Sequence, residues 1–106
     1  AAKVMGIAEG IESAISAAVL HKMPVWATVS GSMMAKWIPP EIAETIYVFA
    51  DNDKHFIGQA KAYTLANRLV AVFKKQVIVK IPPEEGWDWN DVHRDMIRQK
   101  SESSQA

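Results

Sequence analysis

Acidic side chains stand in pairs just beyond the places where this sequence reads as strand. Glu9 and Glu12 follow the run Lys3-Val4-Met5-Gly6-Ile7-Ala8. Asp51 and Asp53 follow Thr45-Ile46-Tyr47-Val48-Phe49-Ala50. Asp88 and Asp91 follow Gln76-Val77-Ile78-Val79-Lys80-Ile81 after a short loop. Taken singly such residues are ordinary, because loops and helix starts welcome negative charge. Brought together they repel: two carboxylates ~4 Å apart cost about 4 kcal/mol at an effective dielectric of ~20. A site of three or more needs a proton or a cation. Hard oxygen donors suit Mg²⁺ or Mn²⁺, which keep several waters and often bind phosphate as well. The chemistry in reach is phosphoryl transfer, with metals neutralising charge that develops in an in-line displacement.

For these pairs to meet, the strands must lie side by side with one polarity. Residues 11–22 place Ile11, Ala14, Ile15, Ala18 and Val19 at helical spacing, and Pro24 stops that helix. Residues 25–29 are rich in β-branched and aromatic types and predict a second strand. Ser30-Gly31-Ser32 predicts a turn, and a short helix follows around 33–37. Residues 57–73 carry Ile57, Ala60, Ala62, Leu65, Ala66, Leu69, Val72 and Phe73, a long helix with one apolar face. Residues 82–86 are a loop, and Asn90 or Asp91 is the expected cap of a last helix running to about Gln99. Ser101 to Ala106 is polar and expected to fray. Strands alternating with helices imply βαβ units, a mainly parallel four-stranded sheet and helices on both faces. With the order 2-1-3-4, the first and third strands are neighbours at the reversal, where open sheets bind ligands. Glu9 and the Asp51/Asp53 pair then face each other across one crevice.

Composition narrows the choice. A chain of 106 residues makes a single domain over 1–100 with a polar tail at 101–106. The absence of cysteine excludes a disulfide scaffold, a thiolate zinc site and a thiol nucleophile, and fits a cytoplasmic setting. No apolar run approaches the ~20 residues that span a bilayer, and no signal peptide is evident, so no membrane partner is expected. Twelve basic residues balance twelve acidic ones, so a general electrostatic grip on nucleic acid is not expected. The chain begins at Ala1, as a fragment of a longer protein would.

Glu9-Gly10-Ile11-Glu12 after one strand and Asp51-Asn52-Asp53 after a later one resemble the Toprim domain. The stretch Asp88-Trp89-Asn90-Asp91 resembles the further acidic motif of the Toprim domain in phage- and plasmid-type DNA primases and primase-helicases. The likeness runs from about Lys3 to Val92. It implies a Rossmann-like three-layer α/β sandwich with a metal-dependent nucleotidyl- or phosphoryl-transfer site. On that resemblance Glu9 is the catalytic acid or base, Asp51 and Asp53 hold Mg²⁺ (or Mn²⁺), and Asp88 helps to bind a second metal. Asn90 stands where many primases have aspartate, which weakens a second site, and Asp91 can compensate. Glu12 is offset by one from another acidic family position. The implied partners are nucleoside triphosphates, a single-stranded DNA template, and further domains of the parent chain such as a zinc-binding or helicase domain. The intact protein would make RNA primers, and the isolated domain would be inactive or weak.

Other readings stay open on the residues. The same ligands serve a Toprim nuclease with water as nucleophile. A degenerate domain would bind nucleotides or dock partners without catalysis. A receiver-like phosphoacceptor wants an acidic pair at the end of the first strand and a lysine after a fifth, whereas that strand ends in Glu9-Gly10 and no fifth strand is evident. Gly10 allows close backbone approach at a helix start that attracts phosphate, or simply makes a tight turn. Lys54 and His55 sit beside the Asp pair and can contact phosphate, though exposed loop residues often do nothing. Gly58 serves close packing of the long helix or the turn before it. His21 reads as a cation at a helix C-terminus, and His93 and Arg94 as a solvated helix face. Trp87 and Trp89 flank Asp88, either to stack on a base or to pack the loop. Trp26 reads as core. Trp37, near Met33 and Met34, reads as a surface for another domain or a cap on the core.

Overall fold

A computed structural model describes residues 3–28 and 31–104. Alternation along the strands decides the layering. In β1 (Val4–Glu9) and β3 (Thr45–Phe49), Met5, Ile7, Ile46 and Val48 face one way. Ala8 and Phe49 face the other. With β2 (Val25–Thr28) and β4 (Gln76–Lys80) they form a four-stranded sheet of order β2-β1-β3-β4. Every pairing is parallel, with Ala8 opposite Phe49 and Glu9 opposite Thr28. The expected strand order and polarity are therefore present.

Each crossover carries a helix: α1 (Ile11–His21), α2 (Gly31–Lys36) and α3 (Ile57–Ala71), with α4 (Trp89–Ser104) closing the chain. Helices α2 and α3 cover the aliphatic face, where Met34, Trp37, Ala62, Leu65 and Leu69 meet the strands. Helices α1 and α4 cover the opposite face through Ala14, Ala17 and Trp89. No helix among the described residues is long and apolar enough to cross a membrane.

Two sequence expectations change here. Helix α1 does not bury its large side chains: Ile11, Ile15 and Val19 are exposed, whereas Ser13, Ala14, Ser16 and Ala17 are buried. Small residues let α1 lie close to the sheet and to α4, which its bulkier stripe would hold off. Trp26 is not core either; it is 54% exposed on edge strand β2, its ring 6.4 Å from that of Trp37. Trp37 is the buried one, capping the core.

Helix α4 also differs at both ends. It starts earlier than expected, because Asp88 rather than Asn90 or Asp91 caps it. The Asp88 Oδ1 accepts from the Asp91 N–H at 2.8 Å, and the Asp88 N–H donates to Asp91 Oδ2 at 2.9 Å. It continues to Ser104 through residues expected to fray. No glycine or proline interrupts it, and Asp95 ties Arg98 and Gln99 one turn on, at 2.6 and 2.8 Å. The predicted turn at Ser30 and the end of the second strand at Val29 lie outside the described residues.

Candidate active site

The carboxyl ends of β1 and β3 are adjacent, so Glu9 and Asp51 leave the sheet side by side. They open a crevice of about 470 Å³, lined also by Asn52, Asp53, Lys54, Ile57, Gly58, Lys61, Gly86, Trp87 and Asp88. Of the residues singled out in the sequence, Glu9, Asp51, Asp53, Asp88 and Lys54 line this one crevice. Glu12, Asn90, Asp91, Gly10 and His55 do not line it. Glu12 is exposed in the first turn of α1. Asn90 faces α1, its Oδ1 accepting from Ser16 Oγ at 3.3 Å. Asp91 is held by the α4 cap and by Arg94 at 2.7 Å.

Gly10 makes the turn between Glu9 and α1 at φ +89°, a conformation other residues rarely adopt, and its N–H donates to the Thr28 carbonyl at 2.6 Å. A side chain there would meet open space, so the backbone lies accessible. Gly58 sits against the Asp51 carbonyl, where a Cβ would make ordinary contact at 3.5 Å. Gly58 is therefore not dictated by sterics.

Asn52 is the residue that sequence reasoning missed. Its N–H donates to the Trp87 carbonyl at 2.9 Å and its own carbonyl accepts from Gly86 at 2.7 Å. Its Nδ2 donates to the Pro82 carbonyl at 2.8 Å. Gln59 of α3, itself buried, donates to Asn52 Oδ1 at 3.3 Å and to the Asp53 carbonyl at 3.0 Å. One asparagine therefore fastens the 82–88 loop to the end of β3, which puts Asp88 opposite Asp51. Trp89 adds a second fastening: its Nε1–H donates to the Ala50 carbonyl at 3.0 Å. The only signal available in sequence was the polar residue held between two aspartates.

The electrostatics are uneven. Burial pushes the Asp51 carboxyl up to about 6, and the charges of Asp88, Glu9, Asp53 and Asp91 push the same way. Asp53 shifts down, chiefly because the His55 N–H donates to its Oδ1 at 2.9 Å, with help from the N–H groups of Gly58 and Ile57 that open α3. Asp91 also shifts down, through the Asp88 N–H and then Arg94. Asp51 is thus destabilised as an anion while Asp53 and Asp91 are stabilised as anions.

Such a donor set fits a hard divalent cation, which would relieve the burial and repulsion at Asp51. No three acidic or histidine side chains among the described residues converge tightly enough to hold one alone. Water or a phosphate must supply part of the coordination, as Mg²⁺ usually requires. Lys54 and Lys61 also line the crevice. Lys61 was not singled out from sequence, because helical spacing alone does not show which wall it joins.

The sequence matches the Toprim domain family over residues 4–98. The fold is similar to the crystal structure of a DNA primase domain from Pseudomonas aeruginosa, with a TM-score of 0.63 and 19% identity. That likeness covers 92% of this chain and 32% of the other, so this chain spans about a third of its neighbour. No curated protein matches.

Proposed function

Since the chain belongs to the Toprim domain family, we propose that it is the metal-binding part of a primase-type nucleotidyltransferase. The observation that carries this reading is the crevice at the carboxyl ends of β1 and β3, lined together by Glu9, Asp51, Asp53 and Asp88. In this reading Asp51, with Asp53 and Asp88 around it, holds Mg²⁺ or Mn²⁺. The bound metal would polarise a phosphoryl oxygen and neutralise its developing charge. Glu9 moves the proton of the attacking hydroxyl, Lys54 and Lys61 orient the phosphates, and the Asn52 latch keeps Asp88 in place. The partners are nucleoside triphosphates and single-stranded DNA, with the remaining machinery on other domains of a cytoplasmic parent protein.

The test is a calorimetric and NMR titration with Mg²⁺ and Mn²⁺. The native chain should bind, with shifts at Glu9 and Asp88, and Asp51→Asn/Asp53→Asn should not. Repeating it with a nucleoside triphosphate supplies the missing oxygen donors. No binding even then would leave a docking domain and sink the proposal. Assays of the parent protein for primer synthesis and for phosphodiester hydrolysis then separate a primase from a nuclease.

A further inference from the structure

Behind the crevice lies a second groove, about 280 Å³, lined by Trp87, Asp91, Arg94, Asp95 and Arg98. Trp87 lines both cavities and so joins them. The backbone on which it stands is fixed on both sides, accepting from Asn52 and donating to the Glu84 carbonyl at 3.2 Å. Arg94 and Arg98 are one helical turn apart on α4 and therefore share a face. Each is oriented by the aspartate three residues before it, at 2.7 and 2.6 Å, yet each side chain remains 68% exposed.

The charges in this groove cancel, so it is no trap for phosphate. It offers an aromatic side chain, two planar guanidiniums each bonded to a carboxylate, and carboxylate oxygens that accept hydrogen bonds. Those are the complements of a nucleobase: a π-face to stack and exocyclic amines to donate. We infer that this groove seats a base of single-stranded nucleic acid whose backbone runs into the adjoining acidic crevice. The inference rests on the nucleic-acid reading of that crevice and specifies where the strand leaves it. Trp87 is the stacking platform, and Arg94 and Arg98 frame the base.

The test is fluorescence anisotropy with a short labelled oligodeoxycytidylate, whose bases carry an exocyclic amine, in EDTA, so that binding does not depend on metal in the crevice. The intrinsic tryptophan emission is read in parallel. The native chain should bind with quenching, and an abasic oligomer of the same length should bind much more weakly. Trp87→Phe should keep most of the affinity but lose most of the quenching. Trp87→Ala should weaken binding about 5- to 100-fold, the usual range for loss of a stacking platform. Arg94→Gln/Arg98→Gln should weaken it about tenfold and leave the Mg²⁺ titration unchanged. Failure of the native chain to bind would overturn the inference, as would equal binding of the abasic oligomer. Unaltered affinity in the arginine variant would do the same. A chain that binds Mg²⁺ normally but fails here keeps its crevice and loses only the groove.

Discussion

The two faces of the sheet are built differently. On the α2/α3 face the contacts are aliphatic and non-directional, among residues such as Ile7, Ile46, Val48, Leu65 and Leu69. On the α1/α4 face small helix residues leave room for an aromatic plug. Phe49 meets Trp89 edge to face at 5.4 Å, and His21 lies 4.7 Å from Phe49 and 5.1 Å from Trp89. Gly6 makes that plug possible, since a Cβ there would come within 2.5 Å of the Phe49 ring. The buried aliphatic side chains supply stability, and α3 reaches the site only through its N-terminal end, at Gln59 and Lys61. The aromatic face supplies stability and direction, because Trp89 lies next to Asp88 and bonds to the residue before Asp51.

Truncation on each face should expose that difference. Trp89→Ala should cost about 3–5 kcal/mol in denaturant unfolding and also weaken Mg²⁺ binding, because Asp88 loses its anchor. Leu65→Ala should cost a comparable ~2–5 kcal/mol yet leave metal affinity of the folded protein unchanged. Equal metal affinity in the two variants would remove the distinction between the faces. Gly6→Ala should cost ~1–3 kcal/mol by overpacking the plug. Adding Phe49→Leu should recover part of that loss, a non-additivity that a double-mutant cycle would register.

The smallest effect runs in the opposite direction. The Asp51 carboxyl rises from its ordinary value of 3.8 to about 6 on folding. Between those values the folded chain binds more protons than the unfolded one, so stability falls as pH rises through the window. Above it, ionised Asp51 destabilises the fold. Asp51→Asn should therefore raise stability at pH values above about 6 by about 1–2 kcal/mol, less than the full shift implies because one side of the group faces solvent. The gain should vanish below pH ~4. Saturating Mg²⁺ should narrow it by stabilising only the native chain. Thermal melts across pH, with and without the metal, check both statements.

The strand order was legible because alternating elements leave few parallel arrangements, and Glu9, Asp51 and Asp53 were legible because they stand at or just past the ends of their strands. What was not legible depends on contacts made across the fold. The apolar stripe of α1 misled because close helix packing favoured Ser13, Ala14, Ser16 and Ala17 over Ile11 and Ile15. Trp26 misled because β2 is an edge strand, and residue type does not reveal an edge. Asn52 stayed hidden because its partners, Pro82, Gly86 and Trp87, lie some thirty residues on. Asp88 and Asp91 were seen as acids, but they exchange hydrogen bonds at the start of α4, where spacing alone put the cap at Asn90 or Asp91.

The Asn52 latch grips the loop at Pro82 and again at Gly86 and Trp87, leaving Pro83, Glu84 and Glu85 exposed between the two grips. The length of that span is thus uncoupled from the position of Asp88. A peptide tag or a fluorophore-bearing insert spliced between Pro83 and Glu84 would sit on a handle whose two ends are already clamped. The same fastening that aligns a carboxylate with its neighbours provides a port for reporting on them from outside.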